Sequence, residues 1–294
     1  MNKQKILIIG GSGLVGSRII ELLSDRYDFQ EESLVTGFDI TQKESVGQKI
    51  SDSEASIILH LAAKADVEGC EKDKELGHDG DAWKINVEGT RNIVDACVVA
   101  NKKIIYISTD FVFDGENTPG NGYTEENQAH PINWYAQTKY EGEKIVQNAS
   151  TPWIIARIGY PYRANFEQKK DFVRIFKALL EKGTPLKLVI DHMNTPTFID
   201  DIAYALDTLI DQQATGIYHV TGSSSLTPFE EGLLIAETFG LEKSLISKTT
   251  LEEFFKNRAP RPFDLSMNNG KITRLGVKMK RFEEGLEEVK KQIV

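Results

Sequence analysis

The sequence predicts an α/β fold, a doubly wound parallel sheet with a smaller, interleaved C-terminal lobe. Three observations predict it. Short β-branched runs alternate with amphipathic helical stretches through residues 1–160, the order in which strands and crossover helices follow one another in a parallel sheet. The strand runs are continuously apolar rather than alternating, as in strands buried on both faces. A glycine-rich turn, Gly10-Gly11-Ser12-Gly13-Leu14-Val15-Gly16, follows the first of them at once and opens a helical stretch.

Residues 5–9 read as the first strand and residues 14–23 as the helix after it. Residues 25–39 hold one short strand, near 27–30 or at 34–38, and the pattern does not choose between them. Residues 57–61, 104–108 and 153–158 are further strands, while 82–100 and 134–148 have helical spacing. Beyond residue 160 the alternation loosens into a helix at 172–182, a strand at 186–190, a helix at 200–211 and a strand at 217–220. Helices near 228–239, 251–256 and 282–292 follow, interrupted by Ala259-Pro260-Arg261-Pro262, where proline excludes helix. Residues 1–160 with about 191–222 are thus expected to form the sheet domain. Residues from about 161–190 and 223–294 form the lobe that closes a cleft over it.

The chain has 294 residues and a formal net charge of −9. That length carries ample core and fits one large α/β domain or two smaller ones. With 44 acidic against 35 basic side chains, an extended nucleic-acid surface, which needs clustered Lys and Arg, is excluded. Cys70 and Cys97 form no Cys-x-x-Cys pair, so neither a disulfide framework nor a zinc site is indicated. His78, His130, His192 and His219 share no ligand spacing, and no metal is expected. No run reaches the ~18 apolar residues of a membrane span, and the first apolar run is too short for a signal-peptide core. A cytoplasmic protein without a membrane partner is expected, and a homodimer stays open.

Glycines 10, 13 and 16 satisfy G-x-x-G-x-x-G, and glycines 11, 13 and 16 satisfy G-x-G-x-x-G. Such a turn lets backbone approach a pyrophosphate, and the helix N-terminus offers free N–H groups and partial positive charge. Gly10, Ser12, Gly13, Leu14, Val15 and Gly16 are therefore candidate dinucleotide contacts. Asp39 is the candidate acid beside the adenosine, on the ribose hydroxyls or, if it ends a third strand, facing adenine; the plain alternative is a helix N-cap. Arg18 reads as a solvated helix residue rather than a 2′-phosphate ligand, so NADH and NADPH both stay open.

Tyr135 and Lys139 are at i and i+4 and share one helix face. An ammonium beside a phenol stabilises the phenolate and brings a group that titrates near ~10 into working range. Ser108-Thr109-Asp110, at the end of a central strand, delivers a hydroxyl that can reach a substrate carbonyl. Alone, the pair reads as a half-buried Tyr beside a surface Lys; the glycine turn and the strand-end hydroxyls favour chemistry. Trp83, Trp134 and Trp153 read as packing, His60 as a core or rim histidine, and the charged run at 71–75 as a solvated face.

Together with Leu61-Ala62-Ala63 and Asn86-Val87-Glu88-Gly89-Thr90-Arg91-Asn92, these motifs resemble an extended short-chain dehydrogenase/reductase. Ser108-Thr109-Asp110-Phe111-Val112-Phe113-Asp114-Gly115, Tyr123-Thr124-Glu125-Glu126, Pro131-Ile132-Asn133-Trp134-Tyr135, Asn194-Thr195-Pro196-Thr197 and Arg261-Pro262 are similar to the dTDP-4-dehydrorhamnose reductase family. The resemblance spans nearly the whole chain. It implies a Rossmann-like sheet with a substrate-binding lobe, an NADPH or NADH cofactor, and reduction of the 4-keto group of a nucleotide-sugar. It further implies that Tyr135 donates the proton, Lys139 holds the nicotinamide ribose, Thr109 polarises the keto oxygen, and Asn86 orders water behind the lysine. Leu61, Ala62, Ala63 and Lys64 match the loop passing the cofactor ribose, and Asp39-Ile40 the adenine contact. Ser108, Thr109, Asp110, Tyr160 and Arg261 fall on the substrate side. The sequence departs from the family where Phe111 replaces a Tyr, Ala136 a Gly, and Ile158-Gly159-Tyr160 a Thr-Ser-Trp. Two alternatives accompany this reading. One is a nucleotide-sugar epimerase; the related 4,6-dehydratases carry a Glu where Phe111 stands. The other is a non-catalytic subunit like the regulatory subunit of methionine adenosyltransferase.

Overall fold

The computed structural model describes residues 3–293. In chain order the strands are β1 (Gln4–Ile9), β2 (Tyr27–Glu32), β3 (Ile57–His60), β4 (Lys103–Thr109), β5 (Trp153–Ile158), β6 (Pro161–Tyr162), β7 (Leu186–Val189), β8 (Thr197–Phe198), β9 (Gly216–His219) and β10 (Ile246–Thr249). Six of them form one parallel sheet in the order β2-β1-β3-β4-β5-β9. The chain moves outward from β1 to β2 and then crosses back to β3, so the order reverses between β1 and β3. Their C-terminal ends flank the crevice where open α/β sheets bind ligands.

The helices are α1 (Gly16–Leu23), α2 (Lys43–Asp52), α3 (Val67–Asp73), α4 (Asp81–Trp83), α5 (Thr90–Val99), α6 (Trp134–Gln147), α7 (Phe172–Glu181), α8 (Ile199–Asp211), α9 (Pro228–Phe239), α10 (Leu251–Phe254), α11 (Gly270–Thr273) and α12 (Phe282–Gln292). Ile19 and Leu23 of α1 and Ile202, Leu206 and Leu209 of α8 pack on one sheet face with Ile6, Ile8 and Ile105. Val46 and Ile50 of α2, Ile93 and Cys97 of α5 and Val146 of α6 pack on the other, with Leu7, Ile58 and Ile104. Burial on both faces is why these strands read as unbroken apolar runs.

The pairs β6–β8 and β7–β10 lie outside this sheet. Tyr162, Val173, Phe198, Ile235, Phe282 and Leu286 form a separate core between β6–β8 and α7, α9 and α12, while Leu186 and Leu188 of β7 pack with Leu180 of α7 and Ala236 of α9.

Several expectations are refined. Of the two possible early strands, 27–30 is realised as β2, and 34–36 is a 3-10 turn. β2 is the sheet edge and carries Gln30, Glu31 and Glu32, which is why its pattern was ambiguous. Residues 38–40 form no strand, so Asp39 does not end one. The helix expected at 82–100 is interrupted by a π-helical turn, Lys84–Gly89, a wider coil that recurs at functional sites. Gly89, its last residue, makes room for Ile40, since a Cβ there would lie 2.6 Å from the Ile40 side chain. The charged run at 71–75 is not simply solvated: Glu71 accepts from Trp134 N at 2.8 Å and Asp73 pairs with Lys64 at 2.6 Å.

Candidate active site

The glycine turn and the loop after β3 meet at the crevice. Gly10 has φ +89°, and a Cβ on it would lie 2.7 Å from Ala62 N; a Cβ on Gly16 would lie 2.6 Å from Gly10 O. Both positions require glycine, one for its backbone angle and contact, the other for close packing of α1. Leu61 N and Ala62 N both donate to Ile9 O, at 2.8 and 3.1 Å, holding the two loops together. Two cavities share this wall. One, of about 500 Å³, runs past Ser12, Ser33, Leu34, Phe38, Asp39 and Ile40. The other, of about 600 Å³, runs past Leu14, Val15 and Gly16 to Ser108, Thr109, Asp110, Tyr135, Lys139, Tyr160 and Arg261. A backbone-walled channel of this kind fits an extended dinucleotide lying across the glycines.

α6 is aimed by its first turn. Asn133 caps it, its Oδ1 accepting from Ala136 N at 2.9 Å, while its Nδ2 donates to Pro260 O at 3.0 Å, tying the helix to the Arg261 loop. Deeper along α6, Gly142 sits so close to β4 that a Cβ would meet Tyr106 Oη at 2.4 Å. That approach lets Lys139 reach across to donate to Ile107 O at 2.9 Å, with its ammonium 4.0 Å over the Tyr106 ring. Burial lowers the Lys139 pKa to about 7, opposed by the charge of Glu143 one turn on. Glu143 is itself held by a bidentate pair with Arg157, at 2.9 and 2.6 Å.

Burial pushes the Tyr135 phenol well above its usual range, with a hydrogen bond to Thr109 acting the other way. Lys139 is not among the groups that shift this phenol, which burial dominates. Both are desolvated together.

Thr109 ends β4. Its hydroxyl accepts from Phe111 N at 3.2 Å and donates to Asp110 Oδ1 at 3.0 Å. Desolvation raises the Asp110 carboxyl to about 7, offset by the bonds from Thr109 and Phe111 N. Asp110 Oδ2 and Ser108 Oγ are buried without partners and belong to residues lining the cavity. Unmet polar groups at a cavity wall are what a polar ligand satisfies.

Some expected residues sit differently. Asn86 does not line the cavity; its side chain accepts from Lys64 N at 2.8 Å and donates to Lys64 O and Thr138 Oγ1 at 3.0 and 2.9 Å. All its donors and its acceptor are engaged, and they clamp the Lys64 loop to α6. Asp39 folds back on Thr41 N and Oγ1, at 2.9 and 2.8 Å. Arg18 is not solvated but forks onto Asp200 at 2.7 Å. Arg261 pairs with Glu68 at 2.7 Å and is not a free cation.

Tyr160, with φ 41°, donates to His192 Nε2 at 2.7 Å, and His192 Nδ1 in turn meets Pro262 O at 2.6 Å. His60 is a buried core histidine, its Nε2 3.0 Å from Thr90 Oγ1. Trp83 and Trp134 stack on each other at 5.8 Å.

Three residues escaped the sequence reading. Lys169 and Lys170 line the mouth of the larger cavity. Glu31, at the end of β2, accepts from Ser12 N of the glycine turn at 3.0 Å. Glu31 lies about 20 residues past the first glycine, the spacing of a ribose-binding acid, but a polar edge strand hid it.

The chain is similar to known proteins over nearly its whole length. Residues 4–294 match the profile of the RmlD substrate binding domain. A crystal structure of dTDP-4-dehydrorhamnose reductase from Bacillus anthracis, in complex with NADP, superimposes with a TM-score of 0.89 at 29% identity, covering 99% of this chain and 100% of that one. A dTDP-4-dehydrorhamnose reductase ortholog from Clostridium acetobutylicum gives 0.88 at 28% identity over 99% of both chains. A probable low-salt glycan biosynthesis reductase of Haloferax volcanii is 27% identical over 89% of each chain.

Proposed function

The chain belongs to the RmlD substrate binding domain family, and from that premise we propose that it is an NAD(P)H-dependent reductase of the 4-keto group of a nucleotide-activated deoxysugar, like dTDP-4-dehydrorhamnose reductase. The observation that carries this reading is the convergence of Tyr135, Thr109 and Lys139 on one cavity whose opposite wall is the glycine turn. When bound, the dinucleotide supplies a hydride to the keto carbon. The protein's own residues handle the oxygen. Thr109 and Ser108 hold it, and Tyr135 gives it a proton. The raised phenol pKa keeps Tyr135 protonated at neutral pH, the form a donor needs, and a developing alkoxide is basic enough to take that proton.

Lys139 holds a ribose of the cofactor, Gly10, Ser12, Gly13, Leu14, Val15 and Gly16 its pyrophosphate, and Ile40, Leu61, Ala62 and Ala63 its flanks. Lys64 fixes the loop through Asn86. On the substrate side, Tyr160 and Asp110 meet the sugar, and Arg261, shared with Glu68, meets phosphate together with Lys169 and Lys170. Residues about 161–190 and 223–294 serve as the substrate lobe. The complete Thr109, Tyr135 and Lys139 set disfavours a purely regulatory role. The test is a screen of NADH and NADPH oxidation against nucleotide 4-ketosugars. One cofactor consumed per sugar reduced supports the reading. Sugar conversion without net cofactor consumption supports an epimerase instead, because that reaction regenerates its cofactor.

A further inference from the structure

We infer that Glu143 is a positioning residue for the reaction: locked in place by Arg157, it is the buried counter-charge that keeps Lys139 an ammonium in the cleft. The inference rests on the reading of Lys139 as the group that holds a cofactor ribose, and adds to it the residue that maintains its charge.

Tyr135, Lys139 and Glu143 follow one another at four-residue intervals along one face of α6. Lys139 and Glu143 are both buried. A carboxylate without access to water is costly unless it is paired, and Glu143 takes two bonds from Arg157, at 2.9 and 2.6 Å. Arg157 comes from β5, two residues past Ile155 on the strand face that packs against α6, and in register with Ser108 of β4. Its guanidinium lies 5.1 Å over the Phe113 ring. The sheet, through Arg157, therefore fixes the acid one helical turn behind the lysine.

Stability alone gives little reason for such a pair, because apolar side chains of similar volume hold a core as well or better. Lys139 does need an anion. Its ammonium donates to a neutral carbonyl, Ile107 O, and lies over the Tyr106 ring. The other titratable groups around it are uncharged at neutral pH. Burial, with the charge of Lys139 itself, lowers His60 of β3 to about 3. Burial raises the phenols of Tyr106 on β4 and Tyr135 on α6, and pushes the Cys70 thiol of α3 up to about 12. Asp110, past the end of β4, acts on Tyr135 rather than on Lys139. Among the described residues, Glu143 is the acid that opposes the desolvation of Lys139. Without it the lysine gives up its proton at lower pH.

The experiment is calorimetric titration of the full-length chain with NADPH at one ionic strength, from about pH 5.5 to about pH 8.5. Each variant is compared with the unaltered chain at the same pH, so that titration of the dinucleotide cancels. Glu143→Gln is expected to weaken binding about fivefold at pH 7 and less than about twofold at pH 5.5, as a Lys139 titration moved down by about one unit requires. Glu143→Asp keeps the charge and is expected to leave the pH dependence in place. An arginine buried without its acid destabilises the fold, so a second variant, Glu143→Gln with Arg157→Met, removes both charges; it is expected to move the dependence in the same direction. Weakening by one factor at every pH overturns the inference, makes the pair merely structural and leaves the reductase reading standing. So does a shift seen in Glu143→Gln but absent from the double variant, which would assign it to the unpaired arginine, or an equal shift in Glu143→Asp. Failure of the unaltered chain to bind NADPH or NADH overturns the reductase reading together with the inference.

Discussion

At the β1–α1 end of the cleft the wall is main chain: Gly10 against Ala62 N, Gly16 against Gly10 O, and two loops sharing Ile9 O. At the far end the wall is side chains brought from separate segments: Tyr160 after β5, His192 after β7, Arg261 in the proline-rich loop, and Lys169 and Lys170 before α7. The backbone cradle tolerates little change at Gly10 and Gly16, where a Cβ intrudes on fixed backbone atoms. A side-chain wall admits replacement. The glycine spacing is intact, while the departures from the resemblance, at Phe111, at Ala136 in α6 and at Ile158-Gly159-Tyr160, all lie away from the glycine turn.

The harshest way to break this contrast is Gly16→Val. Its Cβ would strike Gly10 O at 2.6 Å and Gly11 Cα at 2.8 Å, so dinucleotide affinity should fall by at least ~100-fold as the cradle is displaced. Titration calorimetry measures it, and a change under threefold would show that the cradle yields.

Between the two walls, the catalytic groups respond to pH. Lys139 and Asp110 are both set near 7, one lowered and one raised by burial. As pH rises through about 7 the lysine loses its charge, and the carboxylate gains one and draws the Thr109 hydrogen towards itself. Both changes weaken the hold on a keto oxygen and a cofactor ribose, so kcat/KM should fall as pH rises from 6 to 8, by roughly tenfold for each group lost. Asp110→Asn should flatten that limb; an unaltered limb would assign it to Lys139 alone.

The smallest effect is expected on the side-chain wall. Tyr160→Phe removes one hydrogen bond to His192 and should raise KM for the sugar by about three- to tenfold with kcat little changed. A large fall in kcat would mean that this wall is as unforgiving as the cradle.

The same contrast explains what could be read from sequence. The buried strands and the glycine turn announce themselves through local spacing, and Tyr135 with Lys139 through helix periodicity. β2 was ambiguous because an edge strand carries polar residues, and with it went Glu31. The π turn at Lys84–Gly89 leaves no periodic signal; the resemblance puts Asn86 behind Lys139, and in the structure its side chain clamps the Lys64 loop. Lys169 and Lys170 look like any exposed charge pair, and the Tyr160–His192–Pro262 chain joins residues too far apart for any local pattern to reveal.

The central claim is that Tyr135 protonates the substrate oxygen in a cavity assembled around bound dinucleotide. The most direct measurement is single-turnover oxidation of reduced cofactor by a nucleotide 4-ketosugar in Tyr135→Phe, beside the cofactor affinity of the same variant. A rate reduced by about 10²–10⁴ with affinity within a few-fold of the unaltered chain is the predicted result. An unchanged rate would contradict it.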